Sequence, residues 1–311
     1  MVVPSIRFGI AFLFAAFSAL LPQAPRAGNL ELTQSVSLLA GRLTIKLPLG
    51  AEPDPRSVGI MSAKPAQEEE TRIVLPVGGG RLVIFFKETY RLVPPGSDEK
   101  LKADLQQEKP DAQPSVFEVG KTRVWLQAPV KWAEVINGGE LVEHALIVLP
   151  DQTVVIASFY VSLKHPQRDQ LRLLARQSLR TLTFQHDLVI GGKFDVAGIV
   201  VPLPIGWTHS EQQGPDFSVH RFRKLSPWGT TSPSSIGLYE GGHATYQHDQ
   251  GGTKTSFTTQ KGKWLGRDVT WHIAQDESKM REAIVEVKPG VRHIWYYGSD
   301  AQTVIDAMTL R

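Results

Sequence analysis

Along most of this chain apolar and polar residues alternate with a period of two, the signature of half-buried strands. Leu43, Ile45 and Leu47 alternate with Thr44 and Lys46 before a break at Pro48. The run Ile73 to Leu75 and the segment Arg81 to Tyr90 flank Gly78, Gly79 and Gly80, which predicts a hairpin. Further strands are expected at Ser115 to Val119, Thr122 to Gln127, Leu141 to Leu149 and Thr153 to Val161. After His165 and Pro166 the period changes to that of a helix. Leu171, Leu174, Ala175 and Ser178 form its apolar stripe, with Arg168, Arg172 and Arg176 off it. Between them lies a charged segment, Asp98 to Glu108, where Leu101 and Leu105 are four apart and Ser97 is placed to cap. It reads equally as a short surface helix or a solvated loop.

The second half of the chain restates this pattern. Leu47 Pro48 Leu49 Gly50 is echoed by Leu203 Pro204 Ile205 Gly206, and the strand pair 141–149 and 153–161 by Ala283 to Val287 and Val291 to Tyr297. Strands are also expected at Phe194 to Pro202, Phe217 to Phe222, Ser235 to Tyr239, Thr253 to Thr259 and Val269 to Ile273. A final helix follows, with Ser299 as its cap, Gln302 completing a capping box, and Ala301, Val304, Ile305 and Met308 on one face. The expectation is an α+β protein of two tandem domains, residues 28–186 and 194–311, joined by a linker at 187–193. Each would be a mostly antiparallel sheet packed with a few helices and ended by a C-terminal helix.

The first residues alter the picture of where such a protein works. Arg7, the apolar run Phe8 to Leu21 and the small-residue stretch Ala24 to Gly28 have the order of a secretory signal, so residues 1–27 are expected to be a signal peptide cleaved near Ala27. The alternative is a buried or membrane-anchoring helix, but the run is short for a bilayer span. A periplasmic or secreted location follows, with no membrane span once the signal is removed. The chain has no cysteine, which excludes disulfides, thiolate ligands and thiol nucleophiles. A net charge of +3, evenly spread, gives no basis for binding nucleic acid.

Candidate chemistry concentrates in the second half. Six of the nine histidines lie there: His209, His220, His243, His248, His272 and His293. His243 and His248 are five apart in a glycine-flanked loop, and His272 and His293 sit on expected strands where they could face each other. No short metal-ligand motif accompanies them, so neither metal nor cofactor is assigned. No serine sits in a GxSxG turn and Gly78 to Gly80 is not followed by the lysine of a phosphate loop, so no catalytic residue is assigned either. Trp207, Trp228, Trp264, Trp271 and Trp295 crowd the same half, and His293, Trp295 and Tyr297 share one strand face. The candidate binding residues are Trp228, His243, Tyr246, His248, His293 and Trp295, two of them on that strand or near it and the rest on loops, where a rigid sheet commonly carries binding.

A strand ending in Leu203 Pro204 Ile205 Gly206 Trp207, several antiparallel strands, and a last strand followed by a helix resemble the PsbP-like fold, including the bacterial periplasmic DcrB-like proteins. In the first half the matching pieces are Leu47 Pro48 Leu49 Gly50 and Ser178 to Leu182, with Ala51 in place of the tryptophan. The resemblance implies an αβα-type sandwich that serves as a non-catalytic partner-binding or accessory module, with no shared active site. The expected function is therefore that of an exported, non-catalytic protein that binds another protein or an envelope component. The alternatives are a small-ligand or metal carrier of the periplasm, an envelope hydrolase, or, within the binding class, an inhibitor of a secreted enzyme.

Overall fold

The structure, a computed structural model, describes residues 30–53, 70–106, 113–132, 140–214, 216–230, 234–246, 256–288 and 290–311. The signal-like segment 1–27 and His248 lie outside these residues. In chain order the N-terminal half runs β1 (Leu32–Leu38), β2 (Leu43–Pro48), β3 (Glu52–Pro53), β4 (Glu70–Val77), β5 (Gly80–Leu92), α1 (Asp98–Gln106), β6 (Ser115–Val119), β7 (Thr122–Leu126), β8 (Val130–Trp132), β9 (Glu140–Val148), β10 (Thr153–Ser162), α2 (Arg168–Leu179) and β11 (Thr183–Phe184). The C-terminal half runs β12 (Gly192–Val196), β13 (Ile199–Leu203), β14 (Trp207–Gln213), β15 (Phe217–Lys224), β16 (Ser226–Pro227), β17 (Ser235–Gly241), β18 (Phe257–Trp264), β19 (Arg267–Ala274), β20 (Arg281–Glu286), β21 (Val291–Tyr297), α3 (Ser299–Asp306) and β22 (Thr309–Leu310).

These elements correct the α+β expectation. Of the described residues 56% are strand and 12% helix, so the protein is predominantly β. The physical reason is that the period-two pattern claims nearly every apolar run, and only three stretches of 9, 12 and 8 residues take the helical period. No helix among the described residues is long and apolar enough to cross a membrane.

The large sheet of the N-terminal half has the order β3-β4-β5-β10-β9-β7-β6, and that of the C-terminal half β14-β15-β17-β21-β20-β19-β18. A three-stranded sheet accompanies each, β1-β2-β11 and β12-β13-β22. In both, the fourth strand of the large sheet leads into a helix, and the helix into the last strand of the small sheet. Helix α2 packs on β10 and β2, and α3 on β21 and β13, so each helix lies between its large and its small sheet. Leu171, Leu174, Ala175 and Leu179 enter a core with Leu43, Ile45, Ile84 and Phe86. Ala301, Val304 and Ile305 enter a separate one with Trp207, Phe222, Ile294 and Tyr296.

The Leu-Pro-x-Gly segments form corresponding turns. Ala51 N–H donates to Pro48 O and Trp207 N–H to Pro204 O, with Gly50 and Gly206 at φ +92° and +88°, a conformation that glycine adopts without strain. Leu49 and Ile205 stand exposed at the turn tips, while Ala51 and Trp207 are buried.

Several elements differ from the sequence expectation. Residues 98–106 are a helix, because Leu101 and Leu105 bury against Trp125, Leu146 and Val154 in a third small core. Strand β14 was not anticipated, since Thr208 to Gln213 are polar; at the edge of the sheet His209 and Glu211 to Gln213 stay half-exposed, while Thr208 and Ser210 are buried. The strand placed at 253–259 is found at Phe257–Trp264, residues 247–255 lying outside the described set. Ser299 does not cap α3. Gly298 holds the cap position, and Gln302 instead accepts from Tyr296 Oη–H and donates to Asp306.

The two halves touch at the end of β5. Strand β16 pairs parallel with Arg91 and Leu92, Trp228 N–H donates to Leu92 O at 2.7 Å, and the Arg223 guanidinium stacks 4.8 Å from the Tyr90 ring.

Candidate functional site

Strand β21 divides its side chains between two environments, as alternation requires. Ile294 and Tyr296 face α3 and the core, while His293, Trp295 and Tyr297 take the opposite face of the sheet. Cross-strand register sets the neighbours of this outer face: His272 lies opposite Glu282, Glu282 opposite Trp295, and Trp295 opposite Gly237. The missing side chain at Gly237 gives the indole its place.

Within this row His293 Nε2 lies 2.8 Å from Glu282 Oε2, and both side chains are almost wholly buried. A carboxylate at Glu282 can only accept, so the bridging hydrogen is carried by His293 Nε2. Tyr246, carried by the loop after β17, stacks on His272 at 4.2 Å and meets His293 edge-on at 5.9 Å. Phe257 stacks on His272 at 4.7 Å, and Trp295 tilts against His293 at 4.9 Å. The result is an aromatic and imidazole surface over a buried His–Glu pair, with Phe257 41% exposed at its rim.

Of the candidate binding residues, the structure thus brings Tyr246, His293 and Trp295 together. Sequence reading did not single out Glu282, His272 and Phe257 as binding residues, although His272 was noted for its strand position. His243 lies apart and exposed, its backbone N–H donating to Tyr239 Oη at 3.3 Å. Trp228 is in a different place altogether. It packs on the small core of α1 and β7, its Nε1–H donates to the Asp104 carboxylate, and so it joins the two halves.

Among the described residues no group of three or more His, Asp or Glu side chains is arranged to hold a metal. His209 and His220 do pair, Nε2 to Nδ1 at 3.1 Å, on the core side of β14 and β15 beside Phe194 and Phe222. Burial first, and then the neighbouring His220, push the His209 pKa down to about 4, so this imidazole is neutral through the physiological range.

A second site was not legible in the sequence at all. Arg42, in the turn just before β2, is 2% exposed and donates to Glu88, Asp151 and Thr153. Glu88 is itself 4% exposed, and burial, reinforced by Asp151, pushes its carboxyl up to about 7 against the pull of Arg42. Burial acts on Asp151 in the same sense, yet Arg42 and the amide of Leu188 hold that carboxyl below its ordinary value. Leu188 N–H donates to Asp151 at 3.0 Å and Gln185 N–H to Arg42 O at 3.0 Å, which fastens the segment between the halves to this cluster.

Beside the cluster is a cavity of about 70 Å³, walled by Leu39, Ala40, Tyr90, Leu188 and Val189, with Arg42 and Glu88 also lining it. Leu39, Ala40 and Tyr90 have φ of +50°, +56° and +56°. Such backbone costs non-glycine residues about 1 kcal/mol or more each, and it concentrates where a site is shaped. Tyr90 lies in an irregularity of register between β5 and β10, where Glu88 to Leu92 oppose Val155 to Thr153.

No family model matches this chain, and no curated protein matches it. Two solved structures are similar in part: a crystal structure of the Saccharomyces cerevisiae Ran-binding protein Mog1p and one of a Mog1 point mutant. Each is 16% identical with a TM-score of 0.31, and the matches cover 49% of this chain and 94% and 95% of those proteins.

Proposed function

We propose that this is an exported protein built from two copies of one β-rich unit, which binds another protein or an envelope component and catalyses no reaction. The signal-like order of Arg7, Phe8 to Leu21 and Ala24 to Gly28 supports export. The matching strand orders of the two large sheets, each with its own core, support duplication. Supporting the choice of surface is one observation above the others: Tyr246, Phe257, His272 and Trp295 gather on the sheet face turned away from the core. Aromatic rings with polar edges supply large contact area at low entropic cost, and they are enriched where proteins bind.

The test is retention from envelope extract on immobilised residues 28–311, comparing the parent protein with Phe257→Ala and Trp295→Ala. The reading expects a discrete partner held by the parent and lost by both variants. Retention by none of the three, together with turnover of a generic ester or glycoside, would overturn it.

A further inference from the structure

The cavity beside Arg42 carries the marks of a ligand site, independently of the surface on the C-terminal sheet. Its size, about 70 Å³, lies between what a single water occupies and the roughly 150 Å³ that admits benzene. Leu39, Ala40, Leu188 and Val189 make its walls apolar. Two of its polar lining residues each keep one buried side-chain atom without a close hydrogen-bond partner, Arg42 Nε and Glu88 Oε1, with the Tyr90 amide also acting on the Glu88 carboxylate. Buried polar atoms in folded proteins are almost always paired, so an unpaired donor and acceptor beside one cavity call for a complementary group. Three of the wall residues hold left-handed backbone that their side chains disfavour.

We propose that this cavity binds a small neutral molecule with a head that both accepts and donates a hydrogen bond, a primary carboxamide or a hydroxyl, on a short apolar body. The head accepts from Arg42 Nε–H and donates to Glu88 Oε1, and the body lies against Leu39, Leu188 and Val189. Charge decides against the other small ligands. A carboxylate would stand beside Glu88 and Asp151, and an ammonium group has nothing with which to accept from Arg42. An alkane would leave both atoms unpaired. Because Glu88 Oε2 already accepts from Arg42, the proton of a neutral Glu88 would sit on Oε1 and displace the ligand's donor, so ligand binding and Glu88 deprotonation favour each other, and affinity rises with pH through the region near 7. The charged and titratable groups around Glu88 are Arg42 and Asp151, with His186 and Asp187 lining the same cavity.

The experiment follows the Arg42 Nε–H and the Leu188 and Val189 amide resonances by NMR in residues 28–311, titrated with propionamide, 1-propanol, propionate and propylamine. Propionamide and 1-propanol should shift these signals saturably, and the two charged probes should bind at least about tenfold more weakly. Val189→Trp, which fills the mouth from an exposed position, should abolish the shifts. Glu88→Gln should weaken propionamide by about tenfold and remove the rise with pH, a readout that separates Glu88 from His186. Circular dichroism establishes that each variant is folded. Absence of saturable shifts, tightest binding by propylammonium, or binding unchanged in Val189→Trp would each overturn the proposal.

Discussion

Gly237 lies directly opposite Trp295 on neighbouring strands, and a Cβ at position 237 would come within 2.0 Å of the indole. The ring therefore lies over the one residue of the row that has no side chain. Gly237→Ala should push the indole off the sheet at a cost of about 1–3 kcal/mol, the usual range for overpacking. Urea unfolding measures the cost, and the fluorine resonance of fluorotryptophan at position 295 reports the displacement.

His293 and Glu282 are each close to fully buried, so the pair should be sensitive to the loss of one partner and tolerant of the loss of both. Glu282→Ala is expected to destabilise by about 1–3 kcal/mol because the imidazole N–H stays buried without its acceptor. The double change Glu282→Leu with His293→Phe should lie much closer to the parent. Equal losses in the single and double variants would contradict this.

Trp228 joins the halves through Leu92 and Asp104. Trp228→Ala should cost about 2 kcal/mol, less than at a fully enclosed tryptophan, and should broaden or split the unfolding transition as the two cores separate. A single sharp transition with unchanged midpoint would show that this contact does not couple them.

Two buried groups should give pH dependences of opposite sign. Glu88 titrates near 7 in the folded protein and at the lower value of an ordinary carboxyl when unfolded, so the folded state holds the extra proton in between. Its contribution falls as pH rises from about 4.5 to 7, and Glu88→Gln should flatten that slope. His209 is the reverse, with a folded pKa of about 4 below its ordinary 6.5, so the unfolded state takes the proton first. Stability tied to His209 is lost as pH falls from 6.5 toward 4, and His209→Phe should lessen that loss. Denaturation midpoints of the two variants across this range check both signs.

How much was legible depended on whether a feature was local. The stripes Leu171, Leu174, Ala175 and Ala301, Val304, Ile305 predicted α2 and α3 because helical periodicity is written within a dozen residues. Alternation likewise placed His293, Trp295 and Tyr297 on one face of β21. It could not say which face met the core, because both carry large aromatic residues. Trp228 looked like a free loop residue, since its partners Leu92 and Asp104 belong to the other half of the chain.

The sequence by itself determined most of the central strands, the two helices with clear stripes and the recurrence of the Leu-Pro-x-Gly turns, all of which follow from the chemistry of near neighbours. The tertiary structure decided that the protein is predominantly β, with Tyr246, His272 and Trp295 on one surface. It also decided that Arg42 meets Glu88 and Asp151, residues 46 and 109 positions away. A buried guanidinium needs carboxylates around it, but only the pairing of strands fixes which ones come within reach.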